Sequence, residues 1–458
     1  MSYISNRGYV VAKNDIDVET TRKFLTVKPF KQAMPGSGPV PEYQIYMESK
    51  TKFYVPKSYG IKTFGIPKEI KCNGESIDVT FVGELRNEQQ EPVDAILTAC
   101  YDSNKMGGIL NVFCGGGKTT MALYVLSKLA RKTVIIVHKD FLLEQWKERI
   151  QQFLPSARIG LVKGKILDVE NKDIVIASLQ SLSMKDYSPD VFKDFGTLII
   201  DEVHHTSAEV FNKALFKTCM RFTIGLTATV SRKDGLSKVF MWHLGEIEYK
   251  SIKRQDTVDV KAVFIQFKDD EYCAEEYMGY SQKVNFSKMV NNVCDFGPRN
   301  YTILEIIKNI EPDRTTLVLS DRVRQLEFFK YHVEKSEKSC GIYVGGMKSN
   351  ALKECEGKQV IFATYAIASE GYDQKGLDTL ILASPRSDVT QSVGRILRDR
   401  ECDRSKVPRI YDIVDHFSIF ARQWKTRKTF YKKNDYSIKE IGNKEVVVLV
   451  AKFQECVL

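Results

Sequence analysis

The sequence predicts an α/β protein with two parallel-sheet domains in tandem behind a small β-rich N-terminal domain. Two observations carry the prediction. From Leu85 onward, short β-branched runs alternate with amphipathic stretches: Ile109–Phe113 precedes Thr119–Ala130, Thr133–His138 precedes Phe141–Phe153, and Ile174–Ala177, Thr197–Ile200 and Phe222–Leu226 follow. Strands apolar along their whole length, separated by helices, indicate a parallel sheet covered on both faces. The alternation fades through the charged stretch Glu246–Asp259 and the helical stretch Glu275–Ile310. It restarts at Thr315–Leu319, Gly341–Val344, Gln359–Ala363, Thr379–Ala383 and Arg409–Val414, which marks a second domain of the same class.

In chain order, residues 1–82 read as an accessory domain of short strands broken by the Pro/Gly loop Lys31–Pro41. Residues 83–250 make the first α/β domain, 251–300 a linker and helical segment, 301–440 the second α/β domain, and 441–458 a C-terminal strand or tail. The stretch Tyr43–Gly65 interleaves Tyr43, Tyr46, Phe53, Tyr54, Tyr59 and Phe64 with Lys50, Lys52, Lys57 and Lys62. Two readings stand open for it. One is a stacking platform for bases with lysines on phosphates, and the other is a half-buried sheet with a solvated lysine face.

Composition narrows the function classes. At 43% hydrophobic and 28% charged, with 28 Gly and 13 Pro, the 458 residues exclude low-complexity disorder and collagen-like repeats. Lys plus Arg number 68 against 58 Asp plus Glu, an excess that permits a polyanionic partner without demanding one. Ten cysteines and six histidines show no C-x-x-C and no zinc spacing, so free thiols in a reducing compartment and no structural zinc are expected. No apolar core of a signal peptide opens the chain, and runs such as Val134–Val137 and Val446–Ala451 fall far short of the roughly 20 residues that span a bilayer. A soluble, intracellular, monomeric protein without a membrane partner is the expectation.

Three constellations carry chemistry. The first is Cys114-Gly115-Gly116-Gly117-Lys118-Thr119-Thr120, between a strand and a helix. Its glycines let successive N–H groups face one point at the positive end of a helix, a phosphate cradle. Lys118 would bridge the β- and γ-phosphates of ATP and Thr119 would hold Mg²⁺. The strict motif places a glycine where this chain has Val112. The second is Asp201-Glu202-Val203-His204 at the carboxyl end of an apolar strand, the edge where open α/β sheets bind ligands. Asp201 would hold Mg²⁺ through water and Glu202 would orient and deprotonate an attacking water.

The third is Gln391-Ser392-Val393-Gly394-Arg395-Ile396-Leu397-Arg398, a helical pattern that sets Gln391, Gly394, Arg395 and Arg398 on one face. A planar guanidinium fork suits a γ-phosphate, so Arg395 and Arg398 are expected to act as arginine fingers with Gln391 beside them. Neither arginine reaches Lys118 within its own domain, so the site is expected to form on domain closure.

These motifs, in this order, resemble the superfamily 2 helicases with two RecA-like domains, over residues 85–415. Within them the chain is most similar to the group of the xeroderma-pigmentosum-B helicase, phage branch-migration helicases and poxvirus transcript-release DNA helicases, which implies a large-DNA-virus member. Leu85-Arg86-Asn87-Glu88-Gln89 resembles the adenine-reading segment, with Arg86 and Gln89 toward the nucleotide. Ile135–Lys139 with Glu144-Gln145-Trp146 looks like the first nucleic-acid motif, and Ala177-Ser178-Leu179-Gln180 like the next. Gly225-Leu226-Thr227-Ala228-Thr229 resembles the motif that couples hydrolysis to domain movement, through Thr227 and Thr229. In the second domain, Leu317–Arg322 resembles the family's opening motif; in Phe362-Ala363-Thr364 and Ser369–Asp373, Thr364 would touch a phosphate and Asp373 the nucleotide. Lys233 departs from the acidic residue of the cellular repair helicase, which favours the viral and phage branch.

The resemblance implies ATP-driven 3′-to-5′ movement on DNA, with RNA polymerase or recombination machinery as partners. Ser178, Ser320, Thr364 and the Gly345–Gly346 turn are expected to grip one strand on the sheet edge opposite the ATP site, and His138 and Lys139, in the first nucleic-acid motif, are expected to bind nucleic acid as well. The segment Phe417–Lys433 holds six basic residues and no acid. Its Phe417/Phe420/Trp424 stripe docks on the second domain, and Lys425, Arg427 and Lys428 are expected to add phosphate contacts. An RNA helicase or RNA-stimulated NTPase, and a non-enzymatic DNA-binding scaffold, remain the alternatives.

Overall fold

A computed structural model describes residues 2–30, 41–113, 115–188, 190–203, 208–228, 235–251, 256–279, 284–345, 347, 354–355, 357–370, 376–397 and 404–442. The chain divides into two compact units, Met1–Lys253 and Arg254–Leu458.

The first unit is built on an eight-stranded sheet. Its order is Ile166–Asp168, Ile159–Lys163, Ile174–Ser178, Thr133–Val137, Thr197–Ile200, Phe222–Thr227, Gly107–Asn111 and Ile247–Lys250. Every neighbouring pair is parallel except the hairpin between the first two. Burial explains the apolar runs. Thr133–Val137 and Thr197–Ile200 are buried at every position because helices cover both faces, whereas Ile159–Lys163, near the sheet margin, alternates buried and half-buried. One core layer gathers Val125, Leu126, Trp146 and Ile150 on one face, and the other gathers Phe192, Phe195, Phe211 and Phe240 on the opposite face.

Residues 1–82 belong to this same compact unit. They form a five-stranded sheet, ordered Met47–Glu48, Lys52–Val55, Gly8–Ala12, Tyr3–Ser5 and Glu69–Ile70, with helices Val18–Leu25 and Lys57–Phe64. Helix Lys57–Phe64 lies inside the stretch with two open readings, a base-stacking platform or a half-buried sheet with a solvated lysine face, and Lys57 is buried at 1% exposure. Its ammonium donates to the carbonyls of Met106 and Arg221, each at 2.8 Å, just ahead of strands Gly107–Asn111 and Phe222–Thr227. Burial pushes that ammonium down to about 8. The aromatics of the stretch also pack inward: Phe53 is fully buried and stacks on Tyr46 at 4.9 Å. The Pro/Gly loop falls, but for Pro41, outside the described residues.

The second unit carries a seven-stranded, all-parallel sheet, ordered Cys340–Tyr343, Val360–Thr364, Thr316–Ser320, Thr379–Leu382, Arg409–Asp415, Asp259–Ile265 and Ser437–Ile441. The stretch 251–300, read as linker and helix, supplies strand Asp259–Ile265 and helix Phe286–Asp295. The strand was hidden because Asp259 and Lys261 interrupt its apolar run, and their positions are only half-buried. Residues 443–458, with the run Val446–Ala451, lie outside the described residues.

Helix Ser418–Lys433 docks through Phe420, Trp424 and Tyr431, all buried. Arg299 and Asp415 form a fully buried bidentate pair at 2.7 and 2.8 Å, and the Tyr272 hydroxyl donates to Asp415 at 2.6 Å. No helix among the described residues is long and apolar enough to cross a membrane.

Candidate nucleotide site and nucleic-acid contacts

Strand Gly107–Asn111 runs into the glycine turn, and helix Lys118–Leu129 leaves it. Gly115 and Gly117 take left-handed backbone angles, φ +84° and +81°. A Cβ on Gly117 would lie 2.1 Å from Gln89 Nε2 and 2.9 Å from the Arg86 guanidinium, so any other residue there must displace those side-chain ends as well as adopt the positive φ. Gln89, buried at the start of helix Asn87–Tyr101, donates from Nε2 to the Gly116 carbonyl at 3.2 Å and accepts the Arg86 N–H at 3.0 Å. The segment read as adenine-facing is thereby tied to the turn. Cys114 lies outside the described residues. Thr119 and Thr120 follow Lys118 in the first helical turn, half-buried.

One strand, Phe222–Thr227, separates Gly107–Asn111 from Thr197–Ile200. Two strand spacings, about 10 Å, therefore lie between the turn and the acidic pair, and the Lys118 side chain bridges them. Its Nζ is 3.4 Å from Glu202 Oε1 and donates to the Val112 carbonyl at 3.3 Å. Thr227, fully buried, ends the intervening strand, and its carbonyl accepts the Val112 N–H at 2.9 Å. Thr229 lies outside the described residues, as do His204 and Lys233.

Asp201 hangs from the sheet by its N–H to the Ile136 carbonyl at 3.0 Å, and its Oδ2 accepts the indole N–H of Trp146 at 2.9 Å. Burial raises the Asp201 carboxyl above its ordinary value, and the Glu202 carboxylate adds to the rise; Lys118 and the indole N–H oppose it. Glu202 holds a left-handed backbone, φ +49°. A non-glycine residue there is strained by about 1 kcal/mol or more, and such strain concentrates at functional positions. The cluster can bind a polyphosphate, place hard oxygen donors beside it and hold a carboxylate ready for a proton.

In the second unit, Gln391 and Arg395 share helix Thr390–Ile396. Arg395 departs from the expected free finger: it is 8% exposed and its Nε donates to the Ala368 carbonyl. Gln391 is half-buried. Arg398 and Asp373 lie outside the described residues.

Comparison with known proteins places this arrangement. The family model described as "Type III restriction enzyme, res subunit" matches residues 83–232, the stretch that carries the turn and the acidic pair. A protein of Acanthamoeba polyphaga mimivirus, named "Putative ATP-dependent RNA helicase", is 34% identical over 452 residues, covering 95% of this chain and 86% of its own. The chain belongs to this viral helicase family. A "Putative helicase" of Invertebrate iridescent virus 6 is 28% identical over 84% of this chain and 89% of its own. The crystal structure of T4 UvsW aligns over 93% of this chain and 95% of its own, at 16% identity and a TM-score of 0.37.

In this helicase, the residues expected to grip nucleic acid fall less uniformly than the sequence suggests. His138 and Lys139 directly follow strand Thr133–Val137, and Ser178 ends Ile174–Ser178. Because those strands run parallel to Gly107–Asn111, all three lie on the same carboxyl edge as the glycine turn, and the expectation of an opposite edge for Ser178 is corrected. Ser178 stands four strand spacings, about 19 Å, from the turn's own strand. Thr364 and Ser320 likewise end parallel strands on the carboxyl edge of the second sheet.

Burial removes two of the expected contacts. Ser320 is fully buried, with its hydroxyl donating to Gln325 Oε1 at 2.6 Å and accepting the Arg322 N–H at 3.0 Å, so it is a turn-forming residue rather than a phosphate contact. Arg427 is 3% exposed, with Nε 2.8 Å from Asp412 Oδ2, and is not a phosphate contact either. Lys428 is 2.6 Å from Glu440, and Lys425 is exposed. Gly345 is exposed and a Cβ there meets nothing within 4 Å; Gly346 lies outside the described residues.

Proposed function

We propose that the chain is an ATP-driven DNA helicase or translocase. The observation that carries the proposal is the approach of Lys118 Nζ to Glu202 Oε1 at 3.4 Å, with Asp201 beside it, above a turn of three glycines. The residues fit Mg·ATP. Left-handed glycines open a cradle at the amino end of the 12-residue helix Lys118–Leu129, where N–H groups and the helix dipole favour phosphate. The Thr119 hydroxyl and the Asp201 carboxylate are the hard oxygen donors that magnesium prefers. When bound, Mg·ATP supplies the cleavable anhydride and a divalent charge on its phosphate oxygens.

The chain's own residues do the rest in this reading. Lys118 holds the β- and γ-phosphates, and Glu202 orients the attacking water and takes its proton. Gln391, Arg395 and Arg398 act on the γ-phosphate, for which Arg395 exchanges its hydrogen bond to the Ala368 carbonyl. Thr227 and Thr229 relay the loss of that phosphate. His138, Lys139, Ser178 and Thr364 hold the nucleic-acid backbone, contacts without sequence information, and movement runs 3′ to 5′.

The DEVH sequence and the motif order support DNA. RNA is the second reading, favoured by the printed name of the mimivirus relative. ATP hydrolysis measured with duplex DNA, single-stranded DNA and RNA side by side decides between them. Greater stimulation by either DNA is expected, with Lys118→Ala abolishing it. Stimulation by RNA alone moves the assignment to RNA, and full activity in Lys118→Ala removes the catalytic site. A duplex tailed at one end or the other reads the direction.

A further inference from the structure

Trp146 sits on the buried face of helix Asp140–Phe153, packed in the core layer with Leu142, Leu143 and Ile150, and is 1% exposed. A buried indole N–H needs an acceptor. Here that acceptor is one named atom, Oδ2 of Asp201 at 2.9 Å. The contact crosses elements, from a helix to the end of strand Thr197–Ile200. A neutral donor suits the place: it fixes one carboxylate oxygen without cancelling the charge, as Lys or Arg would. The helix that carries it begins directly after the exposed Lys139, its N-cap.

We infer that Trp146 is a positioning residue for the cation-binding carboxylate, aiming Asp201 at the magnesium of Mg·ATP and linking that aim to the helix that follows Lys139. The inference rests on the nucleotide-site reading above. Hydrogen-bond partners of metal-binding groups commonly contribute tenfold or more to metal affinity.

The test is the binding of a non-hydrolysable ATP analogue to the full chain, followed by calorimetry with and without Mg²⁺. In Trp146→Phe the gain in affinity on adding Mg²⁺ is expected to shrink about tenfold, with the Mg²⁺-free affinity unchanged. Trp146→His, which restores a ring N–H, recovers part of the gain. An undiminished gain in Trp146→Phe overturns the inference, and so does an equal loss in both conditions, which marks a packing role alone. Should Trp146→Phe fail to fold, the double variant Trp242→Phe/Trp424→Phe leaves Trp146 as the one indole of three. Its emission is expected to change when Mg²⁺ joins the bound analogue, and an unchanged spectrum overturns the inference. A wild-type chain that binds no analogue overturns the nucleotide site itself, a different result from wild-type binding that Trp146→Phe leaves untouched.

Discussion

Arg427 and Asp412 form a buried ion pair, with Nε 2.8 Å from one carboxylate oxygen and 3.1 Å from the other. The Tyr431 hydroxyl adds a second donor to Asp412 at 2.9 Å. The pair pins helix Ser418–Lys433 to strand Arg409–Asp415 and turns the charge of Arg427 away from solvent. Removing one partner strands the other charge in the core. Arg427→Met is therefore expected to lower stability by about 3–5 kcal/mol, read as a shift in the denaturation midpoint followed by tryptophan fluorescence.

The same geometry separates Arg427 from Lys425. Lys425 is exposed on that helix, so Lys425→Ala should leave stability unchanged. If it touches a phosphate, the logarithmic salt slope of nucleic-acid binding falls by roughly 0.7–0.9. An unchanged slope removes Lys425 from the binding surface.

Gly117 has its own signature. Alanine there meets both the φ of +81° and the Gln89 amide at 2.1 Å. Gly117→Ala is expected to weaken ATP binding at least tenfold, at a stability cost of about 1 kcal/mol. Calorimetric titration of nucleotide, beside a thermal melt, measures both quantities. A variant with unaltered nucleotide affinity shows that the turn does not hold phosphate.

Glu202 sets stability against turnover. Glycine relieves the strain of φ +49°, so Glu202→Gly should gain about 1 kcal/mol. Hydrolysis is expected to collapse in the same variant, because the carboxylate that takes the proton is gone. Thermal melting and a single-turnover assay on one preparation test the two effects together.

His243 predicts acid sensitivity. It is buried, with Nε2 3.0 Å from Asn212 Oδ1 and the Phe216 ring at 5.2 Å, and burial pushes its imidazolium down to about 3 from 6.5. Between those values the unfolded chain binds more protons than the folded one, so stability rises with pH across that window and falls on acidification. The contribution approaches about 1.4 kcal/mol per pH unit below 6.5. His243→Phe should show a correspondingly flatter profile from pH 6 to 4 in urea unfolding, even if its stability at pH 7 is lower.

Elements whose signal is local are legible from the residues alone. Thr133–Val137 and Thr197–Ile200 are buried on both faces, so their apolar runs are continuous and legible. The glycine turn was equally legible, because its residue types answer to backbone angles within a few residues. Strand Asp259–Ile265 was not, since its half-buried charged positions break the run and only pairing with Arg409–Asp415 and Ser437–Ile441 makes it a strand.

Tertiary structure alone decided where long side chains end. Lysine and arginine can follow either solvent or a buried acceptor, and the choice belongs to residues far away in sequence. Lys57 turned inward to the carbonyls of Met106 and Arg221, and Arg427 to Asp412. The Trp146 indole met Asp201, 55 positions along the chain, because the parallel sheet sets strand Thr133–Val137 beside Thr197–Ile200. Spacing along a chain carries no record of such a meeting; register across a sheet does.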